Sequence, residues 1–139
     1  MKVLLDTNVV LDVFLERHPF AEAAAQILAR IETSRIDGVL CTTTVTTIDY
    51  LLGQALAPEA ARQTLHRLLG LFEIAPVNRS VLEQALQSGI TDFEDAVLEQ
   101  SAHLVSADAI TTRNLKHFRK ASITVFDPQE LLSVIDAIE

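Results

Sequence analysis

Asp6 stands at the exit of the first apolar run, Val3-Leu4-Leu5, and is followed by the turn and cap residues Thr7-Asn8 and a helical pattern from Val9 to Leu15. A carboxylate at the C-terminal end of a buried strand faces the crevice where open α/β sheets hold their ligands. Further acids recur at comparable positions. Asp92 and Asp95 begin a later helical pattern three residues apart, so both can share one face. Glu99 is one turn beyond. The stretch Ile110-Thr111-Thr112-Arg113-Asn114 places hydroxyls and an amide at another strand exit. Hard divalent cations such as Mg²⁺ take oxygen ligands, commonly a few carboxylates with water and substrate phosphate. Two such ions about 3.5–4 Å apart can clamp the attacking and leaving oxygens of a phosphodiester displacement. Asp6, Asp95 and Asp92 are the candidate metal ligands. Thr112 and Asn114 are candidate polar partners in the same site.

Each acid also has a plainer reading. Asp6 can cap the next helix, and Asp92 suits the positive end of a helix dipole. Glu99 and Asp12 are expected to face solvent. The threonines Thr42, Thr43, Thr44, Thr46 and Thr47 are mostly explained by capping and β propensity. The cations crowd one stretch, with Arg113, Lys116, His117, Arg119 and Lys120 close together. Arg113, Lys116 and Lys120 are the candidate contacts to phosphate groups; the plainer reading is a solvated loop. Aromatic residues near this patch are scarce, so recognition by base stacking is not expected. No P-loop, GxGxxG, HExxH, CxxC or GxSxG pattern occurs, which leaves nucleotide, zinc and serine-hydrolase readings without support.

The elements that must position these groups follow from periodicity. Short apolar strands are expected at Val3–Leu5, Val39–Thr42, Phe72–Val77, Ala109–Thr112 and Ser122–Phe126. Helical spacing fills the intervals: from Pro19, from Thr43, from Pro58 to about Leu71, from Arg79 to Ser88, and from about Asp92 to Leu104. Thr91 and Glu94 match a capping box. Asp127-Pro128 opens a last helix. Strands buried on both faces imply a mainly parallel sheet covered by helices, here a three-layer α/β/α sandwich in a single domain over residues 1–139.

Composition narrows the function. The chain of 139 residues has a formal net charge of −8, which disfavours generic nucleic-acid binding unless a cation neutralises clustered carboxylates. The single cysteine, Cys41, lies in an apolar run and reads as a buried reduced thiol. Asp6 breaks the first apolar stretch, so neither a signal peptide nor a membrane span is expected there. A cytoplasmic setting follows.

Val3-Leu4-Leu5-Asp6-Thr7-Asn8-Val9, Asp92-Phe93-Glu94-Asp95-Ala96 and Ile110-Thr111-Thr112-Arg113-Asn114-Leu115-Lys116-His117-Phe118 occur in that order across most of the chain. In this the chain resembles PIN-domain proteins of the bacterial VapC toxin kind. The resemblance implies a Mg²⁺- or Mn²⁺-dependent ribonuclease, with Asp6 and Asp95 as metal-binding acids and Asp92 as an accessory acid. Asn114 matches a position that carries an acid or amide in many members, and Thr112 one where a hydroxyl is common. The implied partners are RNA, an antitoxin protein and, in a homodimer, a second copy of the chain. One position departs from the pattern. The best register puts Thr47 where the family has an acid, and Asp49, two residues on, lies about 200° around a helix. A PIN-like module that binds RNA or protein with little or no cleavage is therefore the alternative. A receiver-type phosphoacceptor fits less well, because no lysine or acidic pair suits its site.

Overall fold

The computed structural model describes residues 1–138 and contains a five-stranded sheet. The strands are β1 (Lys2–Leu5), β2 (Asp37–Cys41), β3 (Glu73–Ala75), β4 (Ala109–Thr111) and β5 (Thr124–Phe126). Their order is β3-β2-β1-β4-β5, and every pairing is parallel. Parallel neighbours require a crossover, and helices supply it. These are α1 (Thr7–Phe14), α2 (Ala21–Glu32), α3 (Thr42–Ala55), α4 (Pro58–Leu71), α5 (Arg79–Gln87), α6 (Phe93–Leu104) and α7 (Pro128–Ala137). A short 3-10 helix, Leu115–Phe118, sits between β4 and β5.

Alternation along the strands divides the core into two layers. Val3 and Leu5 point to one face with Leu40 and Ala109, where they meet apolar residues of α1, α2, α3, α4 and α7. Leu4, Val39, Cys41 and Ile110 point to the other face, against Val81 and Ala85 of α5 and Ala96, Val97 and Ala102 of α6. Leu4, Leu40 and Ile110 are wholly buried, each worth about 1.5–3 kcal/mol of apolar transfer. The expected sandwich is thus present, with a sheet that is parallel throughout. Gly38 is required by packing: a Cβ there would come within 2.6 Å of the Phe72 ring and 2.7 Å of Ile31.

The chain leaves β1 to build β2 and β3 on one side, then returns to place β4 and β5 on the other. The C-terminal ends of β1 and β4 therefore flank the switch point of the sheet, where a crevice opens. Asp6 donates its backbone N–H to Thr111 O at 3.0 Å, and Thr112 donates to Phe126 O at 3.0 Å, so the ladder extends to the residues at this edge.

Several boundaries differ from those expected. Helix α2 starts at Ala21, after a turn that holds Pro19. Helix α6 is capped by Asp92 and not by Thr91: the Asp92 carboxylate accepts from Asp95 N at 3.0 Å, and a charged acceptor suits the positive helix end. Two acids expected in solvent are buried, Asp12 (0 % exposed) and Glu99 (2 %). Asp12 is held by Arg113. Glu99 accepts from Ser88 Oγ (3.0 Å), Ser122 N (2.7 Å) and Gln100 Nε2 (3.0 Å), so polar partners from three segments replace its water. Among the described residues no helix is long and apolar enough to cross a membrane.

Candidate active site

Asp6 is the N-cap of α1, its carboxylate accepting from Thr7 N at 2.7 Å. Capping does not exhaust this side chain. Its second oxygen accepts from the Thr112 hydroxyl at 2.7 Å, and that hydroxyl accepts from Asn114 N at 3.0 Å. The loop after β4 thereby orients the carboxylate at the end of β1. Helix α6 brings Asp92 and Asp95 to the same place. Asp6, Asp92, Asp95, Asn114 and His117 line one open cleft of about 320 Å³.

Burial and neighbouring charge both act on the acids of this cleft. Burial pushes the Asp6 carboxyl above its usual value; the Thr112 hydroxyl, the Thr7 N–H, His117 and Arg113 oppose the rise. Asp95 is pushed up to about 6, first by burial and then by the charges of Asp6 and Asp92, against the pull of His117. The His117 ring contributes directly, with Nδ1 3.3 Å from Asp95 Oδ2. Its place in the cleft was not anticipated. The available signal was a histidine in the cationic stretch, carried on a turn too short for a periodic pattern.

The expected residues are not all brought together. Asp6, Asp92, Asp95 and Asn114 share the cleft, and Thr112 is buried behind Asp6. Arg113 is turned away from it. Its Nε and Nη2 donate to the two oxygens of Asp12 at 2.6 and 3.1 Å, and its guanidinium lies 4.0 Å from the centre of the Phe20 ring. Lys116 lines an adjoining groove. Lys120 lies against Gly89, outside the cleft. Helix α3 contributes Leu51 to the lining and no acid; Asp49 is not part of it. The Thr47 hydroxyl turns back to Thr43 O at 3.0 Å, and Thr44 bonds Thr7 across the helices at 3.0 Å. Among the described residues, no group of three or more His, Cys, Asp or Glu side chains is arranged to hold a metal ion by itself.

A parallel α/β/α sandwich with acids from β1 and α6 at its switch point is a defined class. The family model described as PIN domain matches residues 2–116, and the chain belongs to that family. Among particular relatives, it is 25 % identical over 135 residues to "Ribonuclease VapC1" of Aquifex aeolicus, across 93 % of this chain and 92 % of that one. The solved structure of FitAcB from Neisseria gonorrhoeae superposes with a TM-score of 0.66 at 26 % identity, covering 91 % of this chain and 98 % of that one. VapBC2 from Rickettsia felis, bound to a DNA fragment from its promoter, gives 0.71 at 15 % identity, with 91 % and 98 % coverage, a likeness of fold.

Proposed function

We propose that this chain is a divalent-metal-dependent endoribonuclease of the VapC kind, cleaving RNA at the Asp6–Asp95 cleft. The observation that carries this reading is the convergence of Asp6, Asp92 and Asp95 on one cleft, where burial, helped by the charges of Asp6 and Asp92, raises the Asp95 carboxyl to about 6. Carboxylates held together against their own charge suit a cation. Few protein ligands are present, which fits Mg²⁺, an ion that commonly keeps water and substrate phosphate in its shell.

Mg²⁺ or Mn²⁺, when bound, supplies positive charge to phosphate oxygens and to the attacking water. The chain does the rest. Asp6, fixed by Thr7 and Thr112, and Asp95, presented by α6, hold the acceptor oxygens in place. Asp92 adds charge and caps the helix. Asn114 and His117 offer polar groups at the cleft edge, and Lys116 stands beside it for an adjacent phosphate. In hydrolysis the water oxygen bonds to phosphorus and gives up one proton, the P–O bond to one sugar oxygen breaks, and that oxygen takes up a proton, leaving a phosphate monoester and a free hydroxyl.

An antitoxin protein as partner, a homodimer and a cytoplasmic setting belong to the same reading. A second reading, a PIN-like module with weak or no cleavage, is favoured by Leu51 standing where α3 reaches the cleft. Metal titration with RNA cleavage as a parallel readout tests the choice. Mn²⁺ is expected to raise the melting temperature of the wild type and to support cleavage of single-stranded RNA. A metal-induced rise without cleavage favours the binding module.

A further inference from the structure

Three cavities run edge to edge across the top of the sheet. The acid cleft shares Asn114 and His117 with a groove over the 3-10 helix, and that groove shares Arg113 and Asp127 with a third pocket of about 260 Å³. The third pocket is lined by Pro19, Phe20, Arg113, Asp127, Pro128 and Gln129, with more apolar than polar surface. It is smaller than a typical site for a drug-sized ligand, about 300–1,000 Å³, and suits one flat ring system.

We propose that this pocket is a subsite for a single unpaired base of the RNA that enters the acid cleft. The inference rests on the ribonuclease reading of that cleft. Phe20 is 42 % exposed, so part of its ring is open to a ligand, and the Arg113 guanidinium lies over it. Arg113 is fixed there by its two bonds to buried Asp12. Aromatic rings and arginine planes are the surfaces on which unpaired RNA bases stack. Stacking was not expected from the sequence, because Phe20 and Arg113 are far apart along the chain and only the fold joins them.

The charge of the pocket selects a base over a phosphate. Asp127 brings a carboxylate, one oxygen of which accepts from Glu130 N at 2.8 Å. Its other oxygen has no hydrogen bond among the described residues and can accept from a base N–H. Guanine presents two adjacent N–H donors on its pairing edge; uracil presents one. Guanine is therefore favoured over uracil. The groove between the sites, with Lys116 and His117, carries the backbone that joins base to scissile phosphate.

The test uses the full chain carrying Asp6→Asn, to suppress cleavage, with Mg²⁺ and short single-stranded RNAs. Anisotropy reads binding, and a 2-aminopurine within the strand reads stacking through fluorescence quenching. Phe20→Leu keeps bulk under Arg113 but removes the ring; Phe20→Trp keeps a ring. Quenching is expected in the parent and the Trp variant and is lost in the Leu variant, with affinity at least about fivefold weaker. Asp127→Asn, which retains the cap, is expected to reduce the preference for guanine over uracil strands. Binding with unchanged quenching and unchanged base preference in both variants overturns the subsite and leaves the RNA reading intact. Absence of RNA binding by the parent overturns the RNA reading and the subsite with it.

Discussion

Asp95 has a carboxyl pushed up to about 6, so the folded chain holds this proton more tightly than the unfolded chain, where an aspartate titrates near about 3.9. Its contribution to stability is present at low pH and is lost as pH rises from about 4 to about 6. Asp6 is shifted in the same direction and adds the same sign. Asp95→Asn removes this dependence. In chelator at pH 7 the variant is expected to be more stable than wild type, on the order of 1–2 kcal/mol after discounting for partial solvation. At pH 4 the difference is expected to shrink towards zero. Paired melts at the two pH values check this, and a variant less stable than wild type at pH 7 would count against electrostatic strain in the cleft.

Between elements, Asp12 and Arg113 tie α1 to the loop after β4 through two hydrogen bonds. Asp12 has a side chain only 1 % exposed, so that partner stands in for the water it lacks. Arg113→Ala is expected to cost about 3–5 kcal/mol in chemical denaturation, because it strands a buried carboxylate. Arg17 Nη1, 3.9 Å from Asp12, can recover part of the loss. A cost below about 1 kcal/mol would show that the pair is not a structural tie. Thr111 presents the opposite case. Its hydroxyl oxygen is buried without a hydrogen-bond partner among the described residues. Thr111→Val keeps the shape and removes that polar atom, and is expected to be neutral or stabilising by about 1 kcal/mol in the same assay. A loss of more than about 1 kcal/mol would reveal an unseen partner. Asp12 and Glu99 also show why element-level reading of the sequence falls short. Their burial depends on Arg113, Ser88 and Ser122, which lie far away in the chain or on another element. Helix ends were hard to read for a related reason. Glu16, Ser34 and Ser106 adopt left-handed backbone just past α1, α2 and α6, where glycine would be the usual signal.

For the whole molecule, the fold was legible because short apolar runs such as Val3–Leu5 and Val39–Cys41, bounded by turn and cap residues, read as strands covered on both sides, and the longer amphipathic patterns between them read as covering helices. The position of Asp6 at a strand exit made its place at the crevice legible too. The second half of the site was less so. His117 enters on a 3-10 helix, Arg113 is diverted to Asp12, and α3 offers Leu51 in place of an acid. On the proposed function, the acids of this cleft cleave RNA only with a divalent metal. The most direct measurement is cleavage of an unstructured single-stranded RNA by wild type, Asp6→Asn and Asp95→Asn, each with Mn²⁺ and with chelator. Wild type is expected to cleave only with metal, and each substitution to slow it by at least about 100-fold while RNA binding persists. Equal cleavage by wild type and Asp6→Asn, or cleavage undiminished in chelator, would contradict a metal-dependent site at this cleft.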